Sequence, residues 1–173
     1  MPIKLVVGLG NPDEKYAETR HNLGYKVIDE LHGNPPSRVK LFKPKGYMNS
    51  SGVSVAEMLR KNGYQSDECL IVCDDFTIPL GTLRLRWSGS SGGHNGLDSI
   101  IQSLGTENIP RLRIGIGPVP LGQDPADFVL ERIRDTDQAI KATMMVSAAT
   151  EAVRFAVTNG LDEAMNKYNS AHL

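Results

Sequence analysis

Three kinds of side chain in this sequence could carry hydrolytic chemistry: an imidazole at His21, a carboxylate at Asp74, and carboxamides at Asn11, Asn49 and Asn95. An imidazole titrates near neutrality and is the usual general base there, but it needs an acceptor to hold one ring N–H. The other nitrogen is then free to take a proton from water. Asp74 closes the apolar run Cys69 to Cys73 and is a fixed carboxylate of the required kind. A carboxamide offers a donor and an acceptor, which matches a peptide unit whatever its side chain. Together these residues point to a site that reads a peptide backbone and hydrolyses something attached to it. Asp74 and Asp75 read alternatively as a turn or a metal site. No set of histidines and carboxylates stands at ligand spacing, so a metal site is not expected.

The elements that must position these groups alternate along the chain. Ile3 to Val7 is β-branched and apolar and reads as a buried strand closed by Gly8. A helix is expected from about Thr19, with Leu23, Val27, Ile28 and Leu31 on one face and Gly33 as its stop. Arg38 to Phe42 alternates as a strand, and Ser51 or Ser54 caps a second helix ended by Gly63. Cys69 to Cys73 is a second buried strand, Leu83 to Trp87 and Arg111 to Ile114 alternate as strands with one wet face, and a helix spans Leu97 to Leu104. Asp124-Pro125 opens a short helix, Asp135 caps the longest one, which ends at Asn159-Gly160, and a terminal helix runs from Leu161 to Tyr168. This order predicts an α/β fold, a single three-layer α/β/α domain over 1–173 with a mixed, mainly parallel twisted sheet. Ligands gather at the carboxyl ends of strands in such sheets. Asn11, Asp74 and Tyr47 to Asn49 are all expected just past strand ends.

Composition narrows the class further. An apolar fraction of 40% and a charged fraction of 23% are ordinary for a soluble globular protein. No stretch approaches a membrane span and no leader pattern is present, so a cytoplasmic protein with no membrane contact is expected. Cys69 and Cys73 match neither zinc nor redox spacing and read as small buried hydrophobes. The net charge is −1, yet residues 38–113 carry +3 while 114–173 carry −3. That asymmetry permits a polyanionic partner. Arg38/Lys40, Arg84/Arg86 and Arg111/Arg113 are basic pairs at i, i+2, each expected to project from one strand face and available to phosphate.

Two glycine-rich stretches invite a nucleotide reading that their neighbours weaken. Gly8-Leu9-Gly10 follows a strand, but Asp13 stands where a dinucleotide turn has its third glycine, and Pro12 removes an amide. Gly89-Ser90-Ser91-Gly92-Gly93 lacks the Lys-Ser/Thr ending of a P-loop and reads as a hinge that positions Asn95. His94 packs or hydrogen-bonds within that loop.

At these residues the chain resembles bacterial-type peptidyl-tRNA hydrolase. The likeness is collinear: Lys4 to Pro12 with Tyr16 and Thr19 to Asn22, then Tyr47-Met48-Asn49 with Gly52, Asp74 to Pro79 with Gly81, Gly92 to Leu97, and Arg111 to Gly117. The resemblance implies cleavage of the ester between a peptide and the 3′ end of tRNA, with no metal or cofactor. It implies His21 as general base and Asp74 as its orienting partner. By the same resemblance Asn11 checks for a blocked α-amino group, and Tyr16, Tyr47, Asn49 and Asn95 bind substrate. Asn22 and Met48 line the cleft, and Arg86 and Arg113 clamp tRNA phosphate. The implied partner is peptidyl-tRNA, through its acceptor end and peptide, with no obligate protein partner and a monomeric state. Donors for the tetrahedral oxyanion are available from Asn11, Asn95 or glycine-loop amides.

Two departures from the family pattern stand out. The chain is shorter between its first helix and Tyr47, so the sheet is expected to lose an edge strand or two and the cleft to be more open. Thr77 occupies a place where the family often has a second acidic residue. The alternative to an active esterase is an RNA-binding relative that kept the groove and lost hydrolysis.

Overall fold

The computed structural model describes residues 2–169. Five strands form one sheet in the order β2-β1-β3-β5-β4: β1 Leu5–Gly8, β2 Lys40–Phe42, β3 Cys69–Pro79, β4 Leu83–Arg86 and β5 Arg111–Gly117. β2, β1, β3 and β5 pair in parallel, and β4 runs antiparallel to β5, giving the mixed, mainly parallel sheet. Among the described residues six α-helices complete it: α1 Leu23–Gly33, α2 Ser51–Asn62, α3 Asn95–Leu104, α4 Pro125–Val129, α5 Thr136–Asn159 and α6 Leu161–Tyr168.

Side chains on a strand alternate between faces, and the apolar ones here supply two cores. Val6, Leu70, Val72, Leu112 and Ile114 pack with α1, α5 and α6. Leu5, Val7, Cys69, Ile71 and Cys73 pack with α2 and α3 on the opposite face. The result is three layers.

Several expected boundaries hold for the expected reasons. Gly63 and Gly105 end α2 and α3 with φ of 67° and 69°, in the left-handed region that glycine enters without a Cβ clash. The Asp124 and Asp135 carboxylates accept the Ala126 and Gln138 amides as N-caps. Three expectations need correction. α1 begins at Leu23, because Arg20–Asn22 forms a 3-10 turn and Thr19 is held in a bridge to Arg132. β2 begins at Lys40, and Arg38 at φ 63° has left the strand conformation, so Arg38 and Lys40 do not project as a strand pair. β3 continues through Asp74 to Pro79, because β5 offers ladder partners as far as Gly117; Asp74 pairs with Ile114 instead of lying past a strand end.

A glycine pair brings the chemistry together. A Cβ on Gly8 would lie 2.2 Å from the Gly24 carbonyl oxygen, and one on Gly24 would lie 2.4 Å from the Val72 oxygen. Only hydrogen fits at either place. α1 therefore sits hard against the ends of β1 and β3, and the turn before it reaches Asp74.

β4 and β5 put four guanidinium groups on one face, with Arg84 opposite Arg113 and Arg86 opposite Arg111. Like charges across a ladder repel unless each finds partners. Arg111 was expected on a wet face; it is fully buried. It donates to the carbonyls of Ile109, Ser90 and Gly89 at 2.7, 2.9 and 2.9 Å, and so staples the glycine-rich loop to the sheet. Arg111→Met keeps the packing but strands those carbonyls, and we expect it to cost about 2–4 kcal/mol of stability in a denaturant titration. A change below about 0.5 kcal/mol would contradict that structural role.

Candidate active site

Asp74 is buried between two histidines. The His21 Nδ1 lies 2.9 Å from one carboxylate oxygen and 3.0 Å from the other, and the His94 Nε2 lies 3.0 Å from Asp74 Oδ1. The His94 Nδ1 accepts the Leu97 amide at 3.2 Å as the N-cap of α3, so its proton must reside on Nε2 and be donated to Asp74. Asp74 in turn takes the His21 Nδ1–H. Two imidazole donors on one carboxylate leave His21 Nε2 as the unprotonated nitrogen. It points away from the carboxylate.

The electrostatics agree with this arrangement. Burial opposes a charge on His21 and is the largest single influence on it. The charge and hydrogen bond of Asp74 together exceed that influence, and the pKa rises above 6.5. Burial likewise opposes the Asp74 carboxylate, yet both histidines favour it and hold its pKa well below the usual range.

His94 was read from sequence as a loop residue, and its part in the site was missed. The only signal was its place beside Asn95 in Gly-Gly-His-Asn-Gly. Its position also revises the expectation about metals, because His21, Asp74 and His94 bring ligand atoms within 4.8 Å of one another. The donor set fits a cation poorly. To ligate through Nε2, His94 would have to carry its proton on Nδ1, directly against the Leu97 N–H.

The carboxamides form a second network. Asn22 closes a reciprocal pair with the Asn11 backbone: its Oδ1 accepts the Asn11 amide and its Nδ2 donates to the Asn11 carbonyl, both at 2.9 Å. Asn11 Oδ1 accepts the Met48 amide at 2.9 Å. The acceptor of Asn11 is thus engaged, and Nδ2 is the group left available on the cleft side. Asn22 stands behind Asn11 and lines neither lobe of the cleft.

The cleft has two lobes that share His21, Asn95, Ala126 and Val129. One, of about 270 Å3, is walled by Asn11, Tyr16, Tyr47, Met48 and Asn49. The other, of about 230 Å3, is walled by Asp74, Phe76, Gly93 and His94, with Asp124 and Pro125 opposite. Tyr47 is half-exposed at the rim of the first lobe, where its hydroxyl donates to Asp13 at 2.5 Å. A larger cavity, of about 490 Å3, lies by Arg20 and Phe128 and is lined by neither histidine.

Arg86 and Arg113 line neither lobe. The Arg86 guanidinium rests on the Leu85 carbonyl. Arg113 is mostly buried and binds Asp75 at 3.3 Å and the Ser90 carbonyl at 2.9 Å. Thr77, at the position of the missing acid, donates both its amide and its hydroxyl to Asp75. β2, where the shortened segment leads, is one edge of the sheet.

Fold and site together define an α/β domain with a buried imidazole–carboxylate pair at the floor of a carboxamide-lined cleft. The model of the family described as peptidyl-tRNA hydrolase matches residues 5–173, and the chain belongs to that family. It is 40% identical to the peptidyl-tRNA hydrolase of Fervidobacterium nodosum over 183 aligned positions, covering 98% of this chain and 97% of that one. It is 43% identical to that of Moorella thermoacetica over 189 positions, covering 96% and 98%. The crystal structure of peptidyl-tRNA hydrolase from Acinetobacter baumannii superposes with a TM-score of 0.88 at 30% identity, covering 98% of this chain and 96% of that one.

Proposed function

We propose that this chain hydrolyses the ester between a peptide, or an N-blocked aminoacyl group, and the 3′-terminal ribose of tRNA. The observation that carries the reading is the orientation of His21. Asp74 holds its Nδ1–H, so Nε2 remains basic, and His21 is shared by the two lobes of the cleft.

A water on Nε2 attacks the ester carbonyl as the imidazole takes its proton. The imidazolium, stabilised by Asp74, then returns a proton to the departing ribose oxygen. Asn11 Nδ2 is a donor and meets a carbonyl of a blocked α-amino group. A free ammonium brings only donors there, leaving this buried amide unmatched. Tyr16, Tyr47, Asn49 and Asn95 take the remaining peptide groups, with Met48 as apolar floor. The reading takes the enzyme to act as a monomer. Among the described residues no helix is long and apolar enough to cross a membrane, and the reading places the enzyme in the cytoplasm, as one domain over 1–173.

The deciding experiment is release of peptide from N-acetyl-aminoacyl-tRNA by the purified protein. Binding of tRNA with no release would replace this reading with that of an inactive RNA-binding relative. Phosphate clamping is a separate part of the proposal. Arg113 also holds Asp75 and the loop, so Arg86→Ala is the cleaner probe. We expect it to raise KM for tRNA substrates several-fold and to reduce the salt slope by about 1, while sparing minimal nucleoside esters. Equal losses on both substrate types would remove Arg86 from the tRNA contact.

A further inference from the structure

We infer that Arg20 is a positioning residue for the hydrolysis: it locks the α4 wall of the cleft to the turn that carries His21, and so sets the gap in which the ester carbonyl meets Nε2. The inference rests on the proposed function and gives a role to a residue that lines neither lobe. Arg20 and His21 are neighbours in the 3-10 turn Arg20–Asn22, and their side chains part. His21 goes to Asp74, and Arg20 goes to the far end of α4. The Arg20 Nη1 donates to the Phe128 carbonyl at 2.9 Å and to Glu131 Oε1 at 3.2 Å. Its guanidinium lies over the Phe128 ring, 3.9 Å from the centroid. The side chain is only 11% exposed, so these contacts are made largely away from water, where they are strong. Two backbone contacts join the same segments: the Arg20 amide donates to the Glu131 carbonyl at 3.2 Å, and Thr19 bridges to Arg132.

α4 needs such an anchor. It has five residues, Pro125–Val129, and a helix of that length does not hold itself in water. Ala126 and Val129 wall both lobes of the cleft, Leu130 walls the larger, and His21 lines both lobes with them. The spacing between base and wall is therefore set through a residue of the base's own turn. An ester resting on a displaced wall spends less time in line with the water on Nε2. A shift of about 1 Å in such a geometry costs up to about 100-fold in rate. Arg20 does this without acting on the imidazole itself. Burial and Asp74 set the His21 pKa, and Asp74 accepts the Nδ1–H whether or not the anchor is present. One nitrogen of Arg20 makes both polar contacts, so a lysine ammonium can stand in as donor.

The test is Arg20→Met, which keeps the stem packed on Phe128 and removes the donor, set beside Arg20→Lys. We expect the Met variant to lower kcat for N-acetyl-aminoacyl-tRNA by about 10- to 100-fold, with KM within about threefold. The Lys variant should recover most of that loss. Glu131→Gln, at the exposed end of the contact, should lower kcat less than about threefold. The pH limb of kcat/KM and the nitrogen-15 shifts of the His21 ring should stay those of the parent. Arg20→Gln, too short to span both contacts, takes the place of the Met variant if that one does not fold. Lost stability with kcat per folded molecule unchanged would reduce Arg20 to a fold contact and overturn the inference. A moved pH limb, or a His21 proton shifted to Nε2, would refute it by making Arg20 act on the base directly. Hydrogen exchange gives a readout that needs no turnover. The Phe128, Leu130 and Glu131 amides are bonded within the α4 segment, and in Arg20→Met they should exchange roughly tenfold faster relative to those of α5, with Lys restoring them. Unchanged exchange there would dismiss the anchor. Faster exchange at α4, in a protein whose parent releases no peptide, would leave the anchor standing and sink the proposed hydrolysis.

Discussion

His21→Ala is expected to lower kcat for N-acetyl-aminoacyl-tRNA by roughly 10³- to 10⁴-fold and to leave KM within about twofold. The size follows from the loss of both proton transfers, since one nitrogen serves the attacking water and the departing ribose. KM holds because substrate contacts come from other residues of the two lobes. The substitution leaves Asp74 with His94 as its remaining imidazole partner, so folding should be followed in parallel by circular dichroism. A fall in kcat of less than tenfold in a folded variant would show that the base is elsewhere.

Asp74→Asn should be nearly as damaging, and for a reason specific to this site. The amide oxygen can still accept from His94, whose tautomer is fixed by the Leu97 amide it caps. The new NH2 group then faces His21 Nδ1 and must donate to it. That moves the imidazole proton to Nε2 and abolishes the base, with an expected loss of about 10²- to 10⁴-fold in kcat. The pH profile carries the sign. In the parent protein Asp74 raises the His21 pKa against the effect of burial, so kcat/KM should rise with pH through an apparent pKa above 6.5. Without the carboxylate only burial remains, and the limb should move to lower pH. Full activity, or a limb displaced upward, would refute the pairing.

Much of the framework was legible because local signals agreed with the tertiary result. The near-continuous apolar runs of β1 and β3 are what a strand covered on both faces requires. Leu83 and Leu85 alternate with two arginines because α6 packs on one face of β4 only. Asp124, Asp135, Gly63 and Gly105 mark their helix ends through chemistry confined to a turn. What escaped was set by partners distant along the chain. β3 outlasts the apolar run because β5 supplies ladder partners for Asp74 and Asp75, which have poor strand propensity by themselves. Arg111 looks solvent-facing by alternation, but the carbonyls that bury it come from the loop at 89–90 and from Ile109.

The candidate site divides the same way. An imidazole, a strand carboxylate and three carboxamides were visible as residue types, and the structure brings His21 to Asp74 across 53 positions. The second imidazole was invisible, because helix capping and carboxylate contact are both tertiary facts about His94. Asn22 was expected to line the cleft; it acts one step back, holding the Asn11 backbone so that the Asn11 amide faces outward. Phe76 drew no notice at all, since an aromatic after two acidic residues reads as core until the cavity beside it is seen.

Everything in the chemical account depends on which nitrogen of His21 holds the proton once the ring is neutral. Nitrogen-15 NMR of the imidazoles, taken at a pH above the His21 pKa, reads this directly. The expected spectrum has His21 protonated at Nδ1 with a bare Nε2, and His94 protonated at Nε2, the His21 pattern inverting in Asp74→Asn. A neutral His21 carrying its proton on Nε2 in the unaltered protein would contradict the account.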